Sequence, residues 1–148
     1  MTEYKRIFLD TAPIIYFLDE SSPLRAKTEQ VLSEMIGTHA ELVTSVISCM
    51  EYLVHPYRRQ DSRAICALWQ FVDGCGIQVL DVTKATAEKA AKIRAVFPSF
   101  KAMDALQLAV ARMSGCDVFL TNDKQLRQFD EISCCLIEER EQHVGRKI

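Results

Sequence analysis

The chain lacks the features that would place it in a membrane, in an oxidising compartment or around zinc. No uncharged run in the 148 residues approaches the roughly 18 that a membrane-spanning helix needs. The first apolar stretch is cut by Asp10 and Asp19, which argues against a secretory signal segment. No membrane partner is expected. There are six cysteines but no C-x-x-C pair, and Cys49, Cys66 and Cys116 sit in apolar segments. They read as reduced core thiols of a cytoplasmic protein. The three histidines, His39, His55 and His143, are scattered and lack the i, i+4 pairing of a helical zinc site. The G-x-G at Gly74 to Gly76 precedes a strand instead of joining a strand to a helix, so it marks a turn and not a phosphate cradle. Repeats, linkers and low-complexity tracts are missing as well.

Positive charge is not in surplus either. The formal net charge is -2, which gives no global basic face, so a nucleic-acid partner would have to be attracted by local charge. Two bound divalent cations would turn that balance to about +2.

What is present is ordinary for a globular protein: 49% hydrophobic and 26% charged residues, enough apolar surface for one substantial core. A single domain over residues 1–148 is expected, with a charged tail from about Glu138 that is frayed or contacts a partner. Arg6 to Leu9 reads as a strand and Pro13 to Leu18 as a short helix. Ser22 followed by Pro23 reads as a cap and first turn of a helix that runs to Gly37. Leu42 and Val43 form a brief strand, and Thr44 or Ser45 caps a helix from Val46 to about His55, stopped by Pro56. Asp61 or Ser62 caps the next helix, with Ile65, Leu68, Trp69 and Val72 on its apolar face. Ile77 to Leu80 is a strand, and Thr83 opens a helix ended by Pro98. Met103 to Met113 is a helix closed by Gly115, and Val118 to Leu120 is a strand. Lys124 to Phe129 is a short helix and Ile132 to Ile137 a last strand. Strands alternating with helices at this spacing imply an α/β fold of three layers, α/β/α, around a mainly parallel sheet. In such sheets ligands sit beyond the carboxyl ends of the strands, where strand order reverses.

Four acids are out of place. Asp10 closes the apolar run Ile7, Phe8, Leu9, and Asp123 follows Val118, Phe119, Leu120. Glu51 and Asp104 are embedded in apolar helices. Helix capping accounts for Asp104 or Asp123 taken singly, and Asp10 could bond the amides of its turn. Glu51 lies too far into its helix for that. If the four converge, each pair of carboxylates about 5 Å apart repels by roughly 3 kcal/mol at an effective dielectric of about 20. Either some take up protons or a hard cation binds, and all-oxygen ligation selects Mg²⁺ or Mn²⁺. Such an ion suits phosphodiester hydrolysis.

The segments FLDTAPIIYFLD from Phe8, TSVISCMEYL from Thr44, KAMDALQLAVA from Lys101 and FLTNDKQL from Phe119 together resemble the four acidic motifs of the PIN-domain family, in order and spacing. The likeness spans nearly the whole chain and is greatest to small single-domain VapC-type toxins of toxin–antitoxin pairs. It implies a parallel sheet between helices, ribonuclease activity with Mg²⁺ or Mn²⁺, and metal-site roles for Asp10, Glu51, Asp104 and Asp123. On that reading Asp10 and Asp104 hold the cation, Glu51 orients the attacking water, and Asp123 supports a ligand or a second ion. Thr11 and Thr121 match the family's hydroxyl positions, for which a backbone turn bond is the simpler expectation, and Asn122 is placed to help position water. Ser48, one turn before Glu51, could bond that carboxylate or the backbone. Lys101, Lys124, Arg58, Arg59 and Arg63 could add positive charge near the cleft, and Tyr57 could stack on a base.

The expected partners are an RNA substrate, an antitoxin protein and a second copy of the chain. Two other readings stand beside this one. A phosphatase would use Asp10 as nucleophile, although its usual second acid is replaced by Ala12, and it would leave an acid-stable phosphate adduct. The other is a non-catalytic metal-binding interaction module, and in either case the apolar helix Pro13 to Leu18 could be a dimer or antitoxin surface.

Overall fold

The computed structural model describes residues 4–140. Five strands, β1 (Arg6–Leu9), β2 (Glu41–Ser45), β3 (Gln78–Leu80), β4 (Val118–Thr121) and β5 (Ser133–Leu136), form one sheet in the order β3-β2-β1-β4-β5. Every neighbouring pair is parallel. The helices are α1 (Thr11–Leu18), α2 (Arg25–Gly37), α3 (Val46–Arg58), α4 (Ser62–Gly74), α5 (Lys84–Val96) and α6 (Ala102–Met113), with a 3-10 turn at Lys124–Gln128.

β1 is central, which is why Ile7, Phe8 and Leu9 are all fully buried: both faces of a parallel sheet are covered by crossover helices. Successive side chains point to opposite faces. Ile7 and Leu9 join Ile14, Leu32, Tyr52 and Leu68 of α1 to α4 in one core, and Phe8 joins Ile93 and Leu108 of α5 and α6 in the other. β4 repeats the pattern, with Val118 and Leu120 on the first face and Phe119 on the second. Phe8 and Phe119 are register partners, and their rings stack at 5.3 Å and 4°.

The chain moves outward from β1 to β2 to β3 through α1 to α4 on one face. It then returns through α5 and α6 on the other face to β4. Right-handed crossovers force that change of face when the direction of travel reverses. The reversal falls between β1 and β4, whose carboxyl ends lead into Asp10 and Asn122. At the opposite edge the Arg6 guanidinium donates to Ser114 O, the Glu41 carboxylate and Gln78 Oε1. The Asp117 carboxylate accepts the Lys5 and Arg6 amides, so the far end of the sheet is tied independently of the site.

The three-layer parallel architecture matches the sequence reading, with local differences. Ser22 and Pro23 do not open α2. Ser22 Oγ accepts from Leu24 N and its carbonyl from Arg25 N, so this segment is a separate turn and the helix starts at Arg25. Pro56 does not stop α3. It is buried in the last turn, where a missing amide forfeits only one helix bond, and the helix continues to Arg58. Trp69 is 43% exposed and does not belong to the buried face of α4. Phe71 takes that place, its ring 4.7 Å from Phe17. Cys49 and Cys116 are core thiols as expected, whereas Cys66 is exposed; none of the six cysteines is in a disulfide. The segment after Asp123 is a 3-10 turn and not an α-helix. The expected tail from Glu138 falls mostly outside the described residues. Among those described, no helix is long and apolar enough to cross a membrane.

Truncating Phe119 to alanine removes the stack and opens a cavity against both α5 and α6, so a loss of about 3–5 kcal/mol in urea unfolding is expected. Trp69→Ala, at the surface, is expected to cost less than about 1 kcal/mol in the same assay.

Candidate active site

Asp10 continues β1 beyond its last residue. Its amide donates to Leu120 O at 2.9 Å, extending the ladder toward β4, and its carboxylate caps α1 by accepting from Thr11 N at 2.9 Å. The side chain is held from two further elements. Thr121 Oγ1, at the end of β4, donates to Oδ2 at 2.8 Å, and Gln107 Nε2, on α6, makes a longer contact of 3.4 Å to Oδ1. Asp10 is only 8% exposed.

The other three acids are half-buried around it. Glu51 stands in the second turn of α3, where Thr11 Oγ1 donates to its Oε1 at 2.5 Å. Asp104 lies in the first turn of α6, where the helix dipole favours a negative charge. Asp123 caps the 3-10 turn by accepting from Gln125 N at 3.0 Å, and its own amide donates to Thr121 Oγ1 at 3.2 Å. Three of the four acids thus sit at helical N-termini beyond the carboxyl ends of adjacent strands.

Their charges act on one another. Burial raises the Asp10 carboxyl from the ordinary 3.8 to about 6; the bonds from Thr121 and Thr11 oppose the rise, and repulsion from Asp104 and Glu51 adds to it. Burial also raises Asp104, helped by Asp123 and Glu51 and opposed by Lys101. Asp10, Glu51 and Asp104 therefore form one electrostatic group, and Asp123 joins it through Asp104. Among the described residues none of the four acids has a lysine or arginine at ion-pair distance.

The donor chemistry fits a hard divalent cation: oxygens only, acidic, partly desolvated and without a counter-charge of their own. Among the described residues no three acid, histidine or cysteine side chains already stand as a closed cation cage.

A PIN-domain family model matches residues 7–132, a span that runs from β1 through Asp123 and takes in all four acids. The chain belongs to the PIN-domain family. Solved structures share the fold. FitAcB from Neisseria gonorrhoeae superposes with a TM-score of 0.71 at 17% identity, over 90% of this PIN domain chain and 99% of that one. A toxin–antitoxin complex from Klebsiella pneumoniae gives 0.67 at 20% identity, over 85% and 94% of the two chains. VapC20 of Mycobacterium tuberculosis, described as a sarcin-ricin loop cleaving toxin, gives 0.63 at 21% identity, over 76% and 86%. No curated protein matches the sequence.

Within this PIN domain several residues take other partners than the sequence suggests. The hydroxyls of Thr11 and Thr121 donate to the carboxylates of Glu51 and Asp10, and Thr121 Oγ1 also makes the expected turn bond by accepting from Asp123 N. Asn122 uses its amide to donate to Tyr16 OH and to accept from Glu138 N, joining α1 to the chain after β5. Of its two expected partners Ser48 takes the backbone, donating to Leu9 O, and it also accepts from Gln107. Lys101 acts on Asp104, but Arg59 pairs with Asp61 and acts on Asp19, away from the four acids. In helix α1, Pro13 and Ile14 are buried, while Ile15 to Leu18 pack against the core and stay partly exposed. The residue that the sequence reading missed is Gln107, while Thr44 and Ser45, also buried, were read only as caps of α3. The signal was there in Gln107, a lone polar residue one turn after Asp104 in an apolar helix.

The raised Asp10 value has a sign that can be measured. The folded chain holds a proton that the unfolded chain releases near 3.8, so this contribution is full below about pH 4 and is lost as pH rises through 6. In metal-free buffer, the stability of Asp10→Asn relative to wild type should rise by up to about 3 kcal/mol between pH 4 and pH 7. Urea unfolding of both proteins at the two pH values checks it; a constant difference would mean that Asp10 ionises freely.

Proposed function

We propose that this PIN domain is a divalent-cation-dependent endoribonuclease and the toxin of a toxin–antitoxin pair. The observation that carries the reading is the buried Asp10 carboxylate grouped with Glu51 and Asp104, without a basic partner among the described residues, at the point where strand order reverses. Asp10 and Asp104 are assigned as ligands of Mg²⁺ or Mn²⁺, Glu51 as the acid that orients the attacking water, and Asp123 as support for a ligand or a second ion. The cation supplies neutralisation of phosphate charge and acidification of water at the site.

The chain's own residues prepare that chemistry. Thr121 and the α1 N-terminus hold the Asp10 carboxylate by hydrogen bonds, and Thr11 does the same for Glu51. RNA as substrate is supported by the family and by VapC20, described as cleaving the sarcin-ricin loop. An antitoxin partner is supported by the fold's likeness to a chain from a toxin–antitoxin complex. The surface available to a protein partner, antitoxin or second copy, is the outer face of α3. There Val46, Met50, Val54 and Tyr57 are exposed at helical spacing.

Purified wild type is expected to cleave single-stranded RNA in Mn²⁺ or Mg²⁺ and to stop in EDTA. Asp104→Asn should lower the rate by about a hundredfold or more with an unchanged circular dichroism spectrum. Full activity in that variant, or in EDTA, would overturn the assignment.

A further inference from the structure

The polar residues behind the acids form a connected group inside the protein. Gln107 is 1% exposed, and Ser45 and Ser48 are fully buried. A glutamine amide with no route to water must find its partners in the protein, and the partners here have assigned directions. The Ser45 hydroxyl donates to Gln107 Oε1. That fixes the flip of the amide and turns Nε2 toward Ser48 Oγ, at 2.5 Å, and toward Asp10 Oδ1, at 3.4 Å. Ser48 Oγ in turn donates a long hydrogen bond, 3.4 Å, to Leu9 O, the last carbonyl of β1, and Thr44 Oγ1 donates to the same carbonyl at 2.7 Å.

The placement of these groups matters more than their number. Gln107 follows Asp104 by three residues, so both side chains leave α6 on one face. Ser48 precedes Glu51 by three residues on α3, and Ser45 caps that helix through Ile47 N. Leu9 precedes Asp10. One amide therefore joins the helix that carries Asp104, the helix that carries Glu51 and the strand end that carries Asp10. These elements are distant in sequence, and each brings a carboxylate that repels the other two.

We propose that Gln107 is a positioning residue of the site: its amide sets the spacing of Asp10, Asp104 and Glu51 and so the affinity of the site for a divalent cation. This rests on the carboxylate-site reading above. The amide suits the task because it is uncharged. It donates to Asp10 without neutralising it, whereas a lysine there would replace the cation.

The experiment is calorimetric titration of the whole protein with Mn²⁺, well below the unfolding transition, for wild type, Gln107→Leu and Ser48→Ala, with RNA cleavage at saturating Mn²⁺ as a second readout. Gln107→Leu is expected to bind Mn²⁺ about 10- to 100-fold more weakly while retaining the wild-type circular dichroism spectrum. Ser48→Ala, which removes one tether of the amide, should fall between the two, and it decides the matter if Gln107→Leu does not fold. A lowered thermal midpoint with unchanged Mn²⁺ affinity in the folded variant would overturn the proposal, because Gln107 would then serve stability alone. A wild type that binds no Mn²⁺ would instead overturn the carboxylate-site reading and this inference with it.

Discussion

The structure depends on a single unfavourable element: a carboxylate buried at the end of the central strand with other carboxylates beside it and, among the described residues, no basic partner. Asp10 has its position because β1 lies between β2 and β4, and its surroundings are dry because both faces of that strand are covered. A packed core would not ordinarily keep such a group. It is tolerated here through donors that stabilise the negative charge, from Thr121, Thr11 and Gln107, and through partial protonation as its pKa rises to about 6. Those devices offset the cost without removing it, and the remaining charge is what a cation would meet.

The fold explains why the acids meet at all. They are separated by long stretches of sequence, and each stands where an element begins or ends: Asp10 after β1, Glu51 in the second turn of α3, Asp104 in the first turn of α6, Asp123 after β4. In a parallel sheet every strand ends at the same edge, so short links from strand to helix bring such positions together. Strand order reverses between β1 and β4, the two strands that lead into Asp10 and Asp123. Arg6 and Asp117 secure the opposite edge, so the geometry at the carboxyl end does not carry the burden of holding the sheet.

Much of this was legible in the sequence. Period-two and helical patterns located the strands and helices, and charged residues inside apolar runs singled out Asp10, Glu51 and Asp104. The misreadings have physical reasons. Pro56 and Ser22 follow local rules that give way where burial or a competing turn decides, and Trp69 lies at the boundary of an apolar face whose depth depends on Phe17. Ser45 and Ser48 were read only locally, as a cap and a neighbour of Glu51, and Gln107 was passed over, because what joins them is a set of contacts with no periodic signature. Their meaning lies in contacts such as Ser45 to Gln107, across 62 positions of the chain.

The most direct test of the account is a crystal structure of the protein soaked in Mn²⁺, with the ion located by its anomalous scattering. The account predicts a peak within coordination distance, roughly 2.0–2.3 Å, of carboxylate oxygens of both Asp10 and Asp104. A map with no peak there, or with Mn²⁺ only on surface acids elsewhere, would contradict it.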